Sequence, residues 1–443
     1  MPVLRHPAQV IVGGFGFAIL IGTLLLLLPA ATSSPGSATP LAALFTATSA
    51  ICVTGLIVVD TETHWSTFGE VVIMALIQAG GLGIMTLATV FALLVSGRVG
   101  LRARMLVQTE TKTLSASDVR RVVRNVVIFS LVSELLLTVV LTLRFALGYG
   151  EGLGRASYMG VFHAVSAFNN AGFVLWPDSV VRFATDPWIC LPIAFAVVVG
   201  GLGFPVVFEL ARSWRRPSRW SVLTRITLAV TVPLLVLGTA AFTIFEWSNP
   251  ATFGALPESR RVMAGFFTGV MPRSGGFSLI DIAEMRSESW LVTDILMFIG
   301  GGSAGTAGGI KVTTFGLLAF VIWAELRGED QVNVGHRRLP SAVQRQALTI
   351  ALLGVGLVAL GTFVLLSLSR QSLDEVIFEA ISAFGTVGLS IGATTTSMPV
   401  PGQVLIVVLM FIGRIGPVTL FSALAMRERT RHYELPEERP IVG

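Results

Sequence analysis

Charge is scarce in this sequence. Only 13% of the 443 residues are charged and 53% are hydrophobic, whereas soluble proteins have about 25% charged residues. With a mean hydropathy of +0.78, the chain has too few polar residues to cover its apolar ones with a water-compatible surface. The composition excludes a soluble globular protein and predicts a protein that crosses the membrane many times.

Cysteine and lysine are also rare. Cys52 and Cys190 are the two cysteines; they cannot build a disulfide framework and lack metal-ligand spacing, so we expect both to be small buried residues. Of the 31 basic residues only Lys112 and Lys311 are lysines, and the net charge of +5 is modest. We expect membrane lipids rather than nucleic acid as the surroundings of this chain.

Long apolar runs fill most of the sequence. A spanning helix needs about 20 apolar residues, and the runs predict eight such helices at about 9–29, 69–96, 122–147, 188–211, 225–246, 290–325, 346–368 and 402–426. The first run is too long for the core of a signal peptide, so we expect it to be retained. Four shorter runs cannot cross a bilayer and predict half-helices at about 41–51, 157–168, 262–271 and 374–384.

Each predicted half-helix leads into a glycine-centred segment. The four segments read SAICVTGLIVVD (49–60), SAFNNAGFVLWPD (166–178), VMPRSGGFSLID (270–281) and SAFGTVGLSIGA (382–393). A second glycine signal follows about 25 residues later, at 80–83, 200–203, 300–309 and 413–416. Two matched markers with a period near 110 predict four repeats of helix, half-helix, glycine bend and helix, at about 1–110, 111–220, 221–340 and 341–443.

The basic residues predict how the repeats are oriented. Of the 31 arginines and lysines, 21 lie at the termini or between repeats, and seven lie in loops within repeats. Because cytoplasmic loops are enriched in basic residues, both termini and all connections between repeats are predicted to be cytoplasmic. The repeats would then be parallel, around a pseudo-fourfold axis normal to the membrane.

Four equivalent half-helices around one axis predict a central cavity. Irregular backbone at membrane depth is tolerated only where it faces protein or water, and glycine allows backbone angles that turn carbonyl oxygens inward. Such oxygens can replace the hydration shell of K⁺, and the partially negative C-terminal ends of helices favour a cation. The predicted filter residues are Val53, Thr54, Gly55, Asn170, Ala171, Gly172, Ser274, Gly275, Gly276, Thr386, Val387 and Gly388.

Three acidic residues follow the bends by five or six positions: Asp60, Asp178 and Asp281. At the outer mouth of a pore they would concentrate cations. The alternative is that they are ordinary solvated loop residues.

This organisation resembles the Trk/Ktr/HKT superfamily of potassium transporters, and within it the KtrB-type membrane subunits. The resemblance covers nearly the whole chain, and Thr386-Val387-Gly388 is similar to the start of the TVGYG signature of K⁺ channels. It implies K⁺ uptake across the bacterial cell (inner) membrane through a short filter with one well-formed K⁺ site. Some plant members that carry Ser at the first filter glycine pass Na⁺, so the retained Gly55 is associated with K⁺.

The resemblance also implies partners. These are a second copy of the chain, in a homodimer where each protomer has its own pore, and a cytoplasmic ring of nucleotide-binding regulatory subunits of the KtrA type. Dependence on Na⁺ as an activator is a trait of the family.

Residues 300–311, GGGSAGTAGGIK, interrupt the sixth predicted spanning helix. Six of the twelve are glycine, so a helix is disfavoured and a loop inside the membrane is expected. The resemblance implies that this loop is a gate below the filter; a kink for close helix packing is the alternative. The predicted gate residues are Gly300, Gly301, Gly302, Ser303, Ala304, Gly305, Thr306, Ala307, Gly308, Gly309, Lys311 and Arg414.

Arg414 lies within the last predicted helix, at the position of the second glycine marker. A cation at the centre of a bilayer is costly and usually faces the interior of the protein. The resemblance implies an arginine here that limits K⁺ passage or holds the gate loop. The alternative is a buried arginine with a purely structural partner.

Two other functions are open at this point. A Na⁺-permeable or weakly selective transporter of the same superfamily is one, since Asn170 and Arg273 place functional side chains in two filter segments. An intramembrane serine hydrolase is the other, because residues 301–305 match G-x-S-x-G around Ser303. A nucleophilic serine needs a base, and of the five histidines only His163 lies near a membrane segment. We therefore expect a transporter and not an enzyme.

Overall fold

The computed structural model describes residues 7–34, 36–83, 119–329, 331–334, 337–392 and 397–416. These residues are mostly helical. A short antiparallel hairpin pairs Asn333–Val334 (β1) with Arg337–Arg338 (β2). The described helices are α1 Pro7–Leu26, α2 Pro40–Ile51, α3 Thr61–His64, α4 Thr67–Gly81, α5 Val119–Gly148, α6 Leu153–Phe168, α7 Pro187–Leu202, α8 Phe204–Ser213, α9 Val222–Glu246, α10 Glu258–Val270, α11 Ser287–Phe298, α12 Val312–Leu326, α13 Ser341–Leu368, α14 Leu373–Gly385 and α15 Val400–Ile415.

The four predicted half-helices correspond to α2, α6, α10 and α14. Each packs against the helix that precedes it, so that α1–α2, α5–α6, α9–α10 and α13–α14 form four helical hairpins. The best-capped start is that of α14, where Ser372 and Glu375 form a reciprocal capping box. All four short helices end a few residues before a filter glycine, at Ile51, Phe168, Val270 and Gly385.

Two predicted spanning helices are broken. The run at 290–325 divides into α11 and α12 around the glycine-rich segment, as expected. The run at 188–211 was predicted as one helix, and this prediction was wrong: it divides into α7 and α8, which are bent by 101°. Gly203 forms the break with a positive φ of 95°, a conformation that glycine adopts without steric cost.

Length and composition identify part of the predicted set of membrane spans. Among the described residues, three helices are long and apolar enough to cross a membrane, and the bent pair α7–α8 would make a fourth; the three are Val123–Gly148, Val222–Glu246 and Ser341–Leu368. The predicted spans at 69–96 and 402–426 extend beyond the described residues. Most of the arginines in the first connection and in the tail, taken together, also lie outside the described residues. The number of eight spans and the orientation of the termini therefore remain predictions.

The distribution of polar groups suits a protein surrounded by lipid. Ser166, Ser274 and Ser382 are completely buried, whereas Leu136 and Phe363 are 64% and 71% exposed. Polar groups in a bilayer must find partners inside the protein, and apolar side chains can face lipid at no cost. The short helices and the filter segments thus form a polar centre within an apolar exterior.

A candidate cation filter and its gate

The four filter glycines lie next to one another in a closed ring. A Cβ atom placed on each of them would come within 2.8 Å of the backbone of the next filter segment. The contacts are Gly55 with Ala171 O (2.4 Å), Gly172 with Gly276 Cα (2.8 Å), Gly276 with Val387 O (2.6 Å) and Gly388 with Thr54 O (2.1 Å). The fourth segment returns to the first, and a side chain at any of these positions would collide with the backbone of the neighbouring segment.

The same backbone conformation recurs in every filter segment. The glycine and the residue two positions before it have positive φ, and the residue between them does not. The pairs are Val53 (55°) and Gly55 (91°), Asn170 (61°) and Gly172 (70°), Ser274 (69°) and Gly276 (74°), and Thr386 (47°) and Gly388 (93°). Positive φ is unfavourable for non-glycine residues, above all for β-branched ones such as Val53. Strain of this kind persists where the surrounding structure imposes it, typically at functional sites.

Dihedral angles of alternating hand keep successive carbonyl oxygens on one side of an extended chain. A cation site built from main-chain oxygens requires this arrangement. The short helices add to it, because the partially negative C-terminal end of each one adjoins a filter segment.

Three serines support this backbone, although in the sequence they stand out only as small residues. They are Ser49, Ser166 and Ser382, each six residues before a filter glycine. The hydroxyl of Ser49 accepts the N–H of Gly55 at 3.0 Å and that of Ser382 accepts the N–H of Gly388 at 3.2 Å. Their signal was the Ser-Ala pair that opens three of the four segments.

The second glycine marker is explained by close helix contacts. A Cβ at Gly80, Gly200 or Gly413 would lie 1.8 to 2.1 Å from a carbonyl oxygen at the end of a short helix, in the order Ile51, Phe168 and Phe384. Only glycine lets the following helix approach so closely. In the third repeat, a Cβ at Gly300 would instead lie 2.1 Å from Gly308 O.

The glycine-rich segment between α11 and α12 forms the predicted loop. Its two ends pair through Gly300 N–H, which donates to Ile310 O at 2.8 Å. Gly302 N–H and Thr306 N–H donate to Gly201 O (2.7 Å) and Gly200 O (3.1 Å). These bonds attach the loop to the end of α7, next to the break at Gly203.

Other bonds attach the loop to the filter. Gly308 N–H donates to the hydroxyl of Ser274 at 3.2 Å. The hydroxyl of Thr306 donates to Oδ1 of Asn170 at 2.7 Å. Lys311 donates from Nζ to Ala307 O within the loop.

Arg414 connects the loop to the first repeat. One terminal nitrogen of its guanidinium donates to Thr306 O and the other donates to Gly80 O, the latter at 2.6 Å. No carboxylate among the described residues forms an ion pair with Arg414. The positive charge is therefore held by main-chain oxygens of the loop and of the end of α4.

Arg273 lies at the other end of the loop. It is 8% exposed and donates to Thr231 Oγ1 (3.3 Å) and to Gly300 O (3.5 Å). Its guanidinium thus contacts α9 and the loop and donates to no filter oxygen in the described part of the chain. This placement does not support a direct effect of Arg273 on the cation.

Known proteins are similar to this sequence over nearly its full length. A family model described as TrkH, cation transport protein, matches residues 3–430. The chain belongs to this family. It is 40% identical to the Ktr system potassium uptake protein B of Bacillus subtilis, over 99% of this chain and 97% of that protein. Identity to the potassium/sodium uptake protein NtpJ of Enterococcus hirae is 34%, over 99% and 97%.

Membership of the TrkH family agrees with the fold. The structure is similar to that of the potassium transporter TrkH from Vibrio parahaemolyticus, with a TM-score of 0.69 over 94% of this chain and 85% of that chain, at 19% sequence identity. At this identity the similarity concerns the fold. The predicted membership of the Trk/Ktr/HKT superfamily is confirmed.

Because this is a transporter family, the serine hydrolase alternative falls away. The hydroxyl of Ser303 pairs with that of Thr313 at 2.7 Å. His163 bonds to Met159 O through Nδ1 and to Leu175 N–H through Nε2. His163 thus has both ring nitrogens engaged away from the loop.

Proposed function

We propose that the chain is the membrane subunit of a Ktr-type potassium uptake system and that K⁺ crosses the membrane through the ring of filter segments. The observation that carries this proposal is the closed ring of four glycines in the left-handed conformation. Main-chain oxygens facing one axis suit a cation that must lose its water and regain it quickly. The 40% identity to the Ktr system potassium uptake protein B of B. subtilis supports potassium uptake as the activity.

The repeat architecture predicted from the sequence belongs to this proposal. It comprises four parallel repeats at about 1–110, 111–220, 221–340 and 341–443, with eight spanning helices and four re-entrant half-helices around the pore. The four helical hairpins and the recurring pattern of positive φ angles in the filter segments support this architecture. The proposed location is the bacterial cell membrane with both termini in the cytoplasm.

The loop at 300–309, with Lys311 and Arg414, is the proposed gate. Its support is that it bonds to filter residues on one side and to Arg414 on the other. A loop of small residues held by a few hydrogen bonds can move aside at low cost.

The acidic residues have a weaker proposed role at the outer mouth. Asp60 accepts the backbone N–H of Thr63 in α3 at 2.8 Å, and Asp281 accepts that of Ala283 at 3.0 Å. Asp178 pairs with Arg182 at 2.6 Å, which cancels most of its attraction for cations. Long-range attraction of K⁺ would thus rest on Asp60 and Asp281.

The similarity to two Ktr-system relatives, at 40% and 37% identity, supports the proposed partners of this chain. The proposal includes a homodimer, a cytoplasmic ring of KtrA-type nucleotide-binding subunits, and activation by Na⁺. A second candidate function is transport of Na⁺ together with K⁺, which the potassium/sodium relative of E. hirae favours.

The test is complementation of a bacterium that lacks its own K⁺ uptake systems. Expression of the chain, with and without a KtrA-type subunit, is expected to restore growth at low K⁺. Gly276→Ala is expected to abolish growth, because the added methyl group meets Val387 O at 2.6 Å. Gly356→Ala is the matched control, since its methyl group would meet open space.

The outcome separates the two candidate functions. If ⁸⁶Rb⁺ uptake by the complemented cells is reduced by excess K⁺ and hardly by Na⁺, potassium uptake holds. Equal competition by both ions would favour the potassium/sodium function, and growth of the Gly276→Ala strain like the wild type would refute the filter.

A further inference from the structure

The residue two positions before each filter glycine contributes a side chain as well as a backbone angle. It is the non-glycine residue with positive φ in every segment. In the first segment it is Val53; in the other three it is polar, namely Asn170, Ser274 and Thr386. All four are completely buried, and buried polar side chains usually have partners within the protein; Asn170 and Ser274 have them, whereas the hydroxyl of Thr386 accepts no hydrogen bond among the described residues.

All three polar side chains touch the gate loop. Asn170 accepts the hydroxyl of Thr306 at 2.7 Å, and Ser274 accepts the N–H of Gly308 at 3.2 Å. Thr386 packs against Gly308, where an added Cβ would lie 1.8 Å from its hydroxyl oxygen. The loop therefore rests on three of the four filter segments at once.

Ser274 also reaches the backbone that would line the ion path. Its hydroxyl donates to the main-chain oxygen of Thr386 at 2.8 Å. The same Ser274 hydroxyl oxygen accepts the N–H of Gly308 from the loop. Consecutive hydrogen bonds of this kind polarise and strengthen one another. When Gly308 moves away, the bond from Ser274 to Thr386 weakens, and a filter carbonyl gains freedom.

We propose that Asn170, Ser274 and Thr386 form a loop seat that couples the gate to the filter, so that the position of the loop sets the discrimination between K⁺ and Na⁺. This inference rests on the proposed transport function. It makes Ser274 and Thr306 positioning residues for selectivity. The apolar Val53 leaves the first segment outside this coupling.

The test compares selectivity in variants from both sides of the seat. Thr306→Val removes a hydroxyl from the loop without touching the filter, and Ser274→Ala removes one from the filter. Thr349→Val is the matched control, because its hydroxyl is exposed and bonds to Arg345 O within α13. Purified protein in proteoliposomes is assayed for ⁸⁶Rb⁺ uptake, with competition by K⁺ and by Na⁺.

Thr306→Val and Ser274→Ala are each expected to lower the preference for K⁺ over Na⁺ by about threefold to tenfold, the range for one lost hydrogen bond. Thr349→Val is expected to keep the wild-type preference. If the gate and the filter acted independently, removing the hydroxyl of a threonine outside the filter would leave the selectivity unchanged.

Two results would overturn the coupling. One is altered uptake rates in Thr306→Val and Ser274→Ala with an unaltered preference for K⁺ over Na⁺; the other is an equal change of preference in Thr349→Val. Thermal unfolding of each variant shows whether it is folded, and if Ser274→Ala is not, Thr306→Val decides alone. Absence of ⁸⁶Rb⁺ uptake by the wild type would refute the proposed function itself.

Discussion

Substitution of Arg414 tests the gate most sharply. Its two terminal nitrogens donate to Thr306 O in the loop and to Gly80 O at the end of α4. Only the bond to Thr306 O breaks when the loop moves, and a hydrogen bond from a charged donor contributes about 1.5–3 kcal/mol. Since about 1.4 kcal/mol corresponds to a factor of ten, loss of this bond shifts the loop toward the open position by roughly tenfold to a hundredfold.

Two variants separate the bonds from the charge. Arg414→Lys keeps the positive charge, but a single ammonium group cannot reproduce the planar fork that spans both carbonyls. Arg414→Gln keeps an amide donor and removes the charge. If the bonds limit passage, both variants are expected to be faster than the wild type; if the charge alone is a barrier to K⁺, only Arg414→Gln is expected to be faster.

The assay is the initial rate of ⁸⁶Rb⁺ uptake into proteoliposomes at equal protein density. Arg370→Gln, an exposed arginine between α13 and α14, serves as the control and is expected to match the wild type. Equal rates in the wild type, Arg414→Lys and Arg414→Gln would refute both the holding of the loop and the charge barrier.

Two further substitutions test the supports of the filter. Gly413→Ala places a Cβ 1.8 Å from a carbonyl oxygen of α14, so α15 must shift by roughly 1 Å or more; loss of uptake and a lower melting temperature are expected, and Gly356→Ala should show neither. Ser382→Ala removes the acceptor of Gly388 N–H and is expected to increase competition by Na⁺. Ser367→Ala, on the exposed end of α13, is its control, and equal Na⁺ competition in the two would contradict a supporting role for Ser382.

Glycine spacing made the short helices predictable from the sequence. The run at 374–384 became Leu373–Gly385, and the run at 41–51 became Pro40–Ile51. The reason is physical: a segment too short to cross the bilayer must turn back, and glycine marks the point where it does. The closure of the ring and the packing of Gly80, Gly200 and Gly413 on helix ends needed coordinates, because spacing along a chain does not specify contacts between repeats.

The bend of 101° between α7 and α8 shows what hydropathy misses. The run at 188–211 is apolar throughout, and a sum over apolar residues is the same for a straight and a bent helix. The local signal was Gly203 followed by Pro205. Proline is favoured in the first turn of a new helix, and the glycine before it takes the positive φ that ends the old one.

The third repeat departs from the other three at positions that all favour the loop. Val270 stands where the others have a supporting serine, and Gly300 packs on Gly308 O rather than on the end of its own short helix. A glycine marker that bound α10 would hold α11 and α12 in one continuous packing surface and leave no free segment. Four such loops would also compete for one central space, so a ring of four repeats has room for a single gate. The proposed gate loop therefore occurs in the repeat that lacks both the supporting serine and the contact of a glycine with its own short helix.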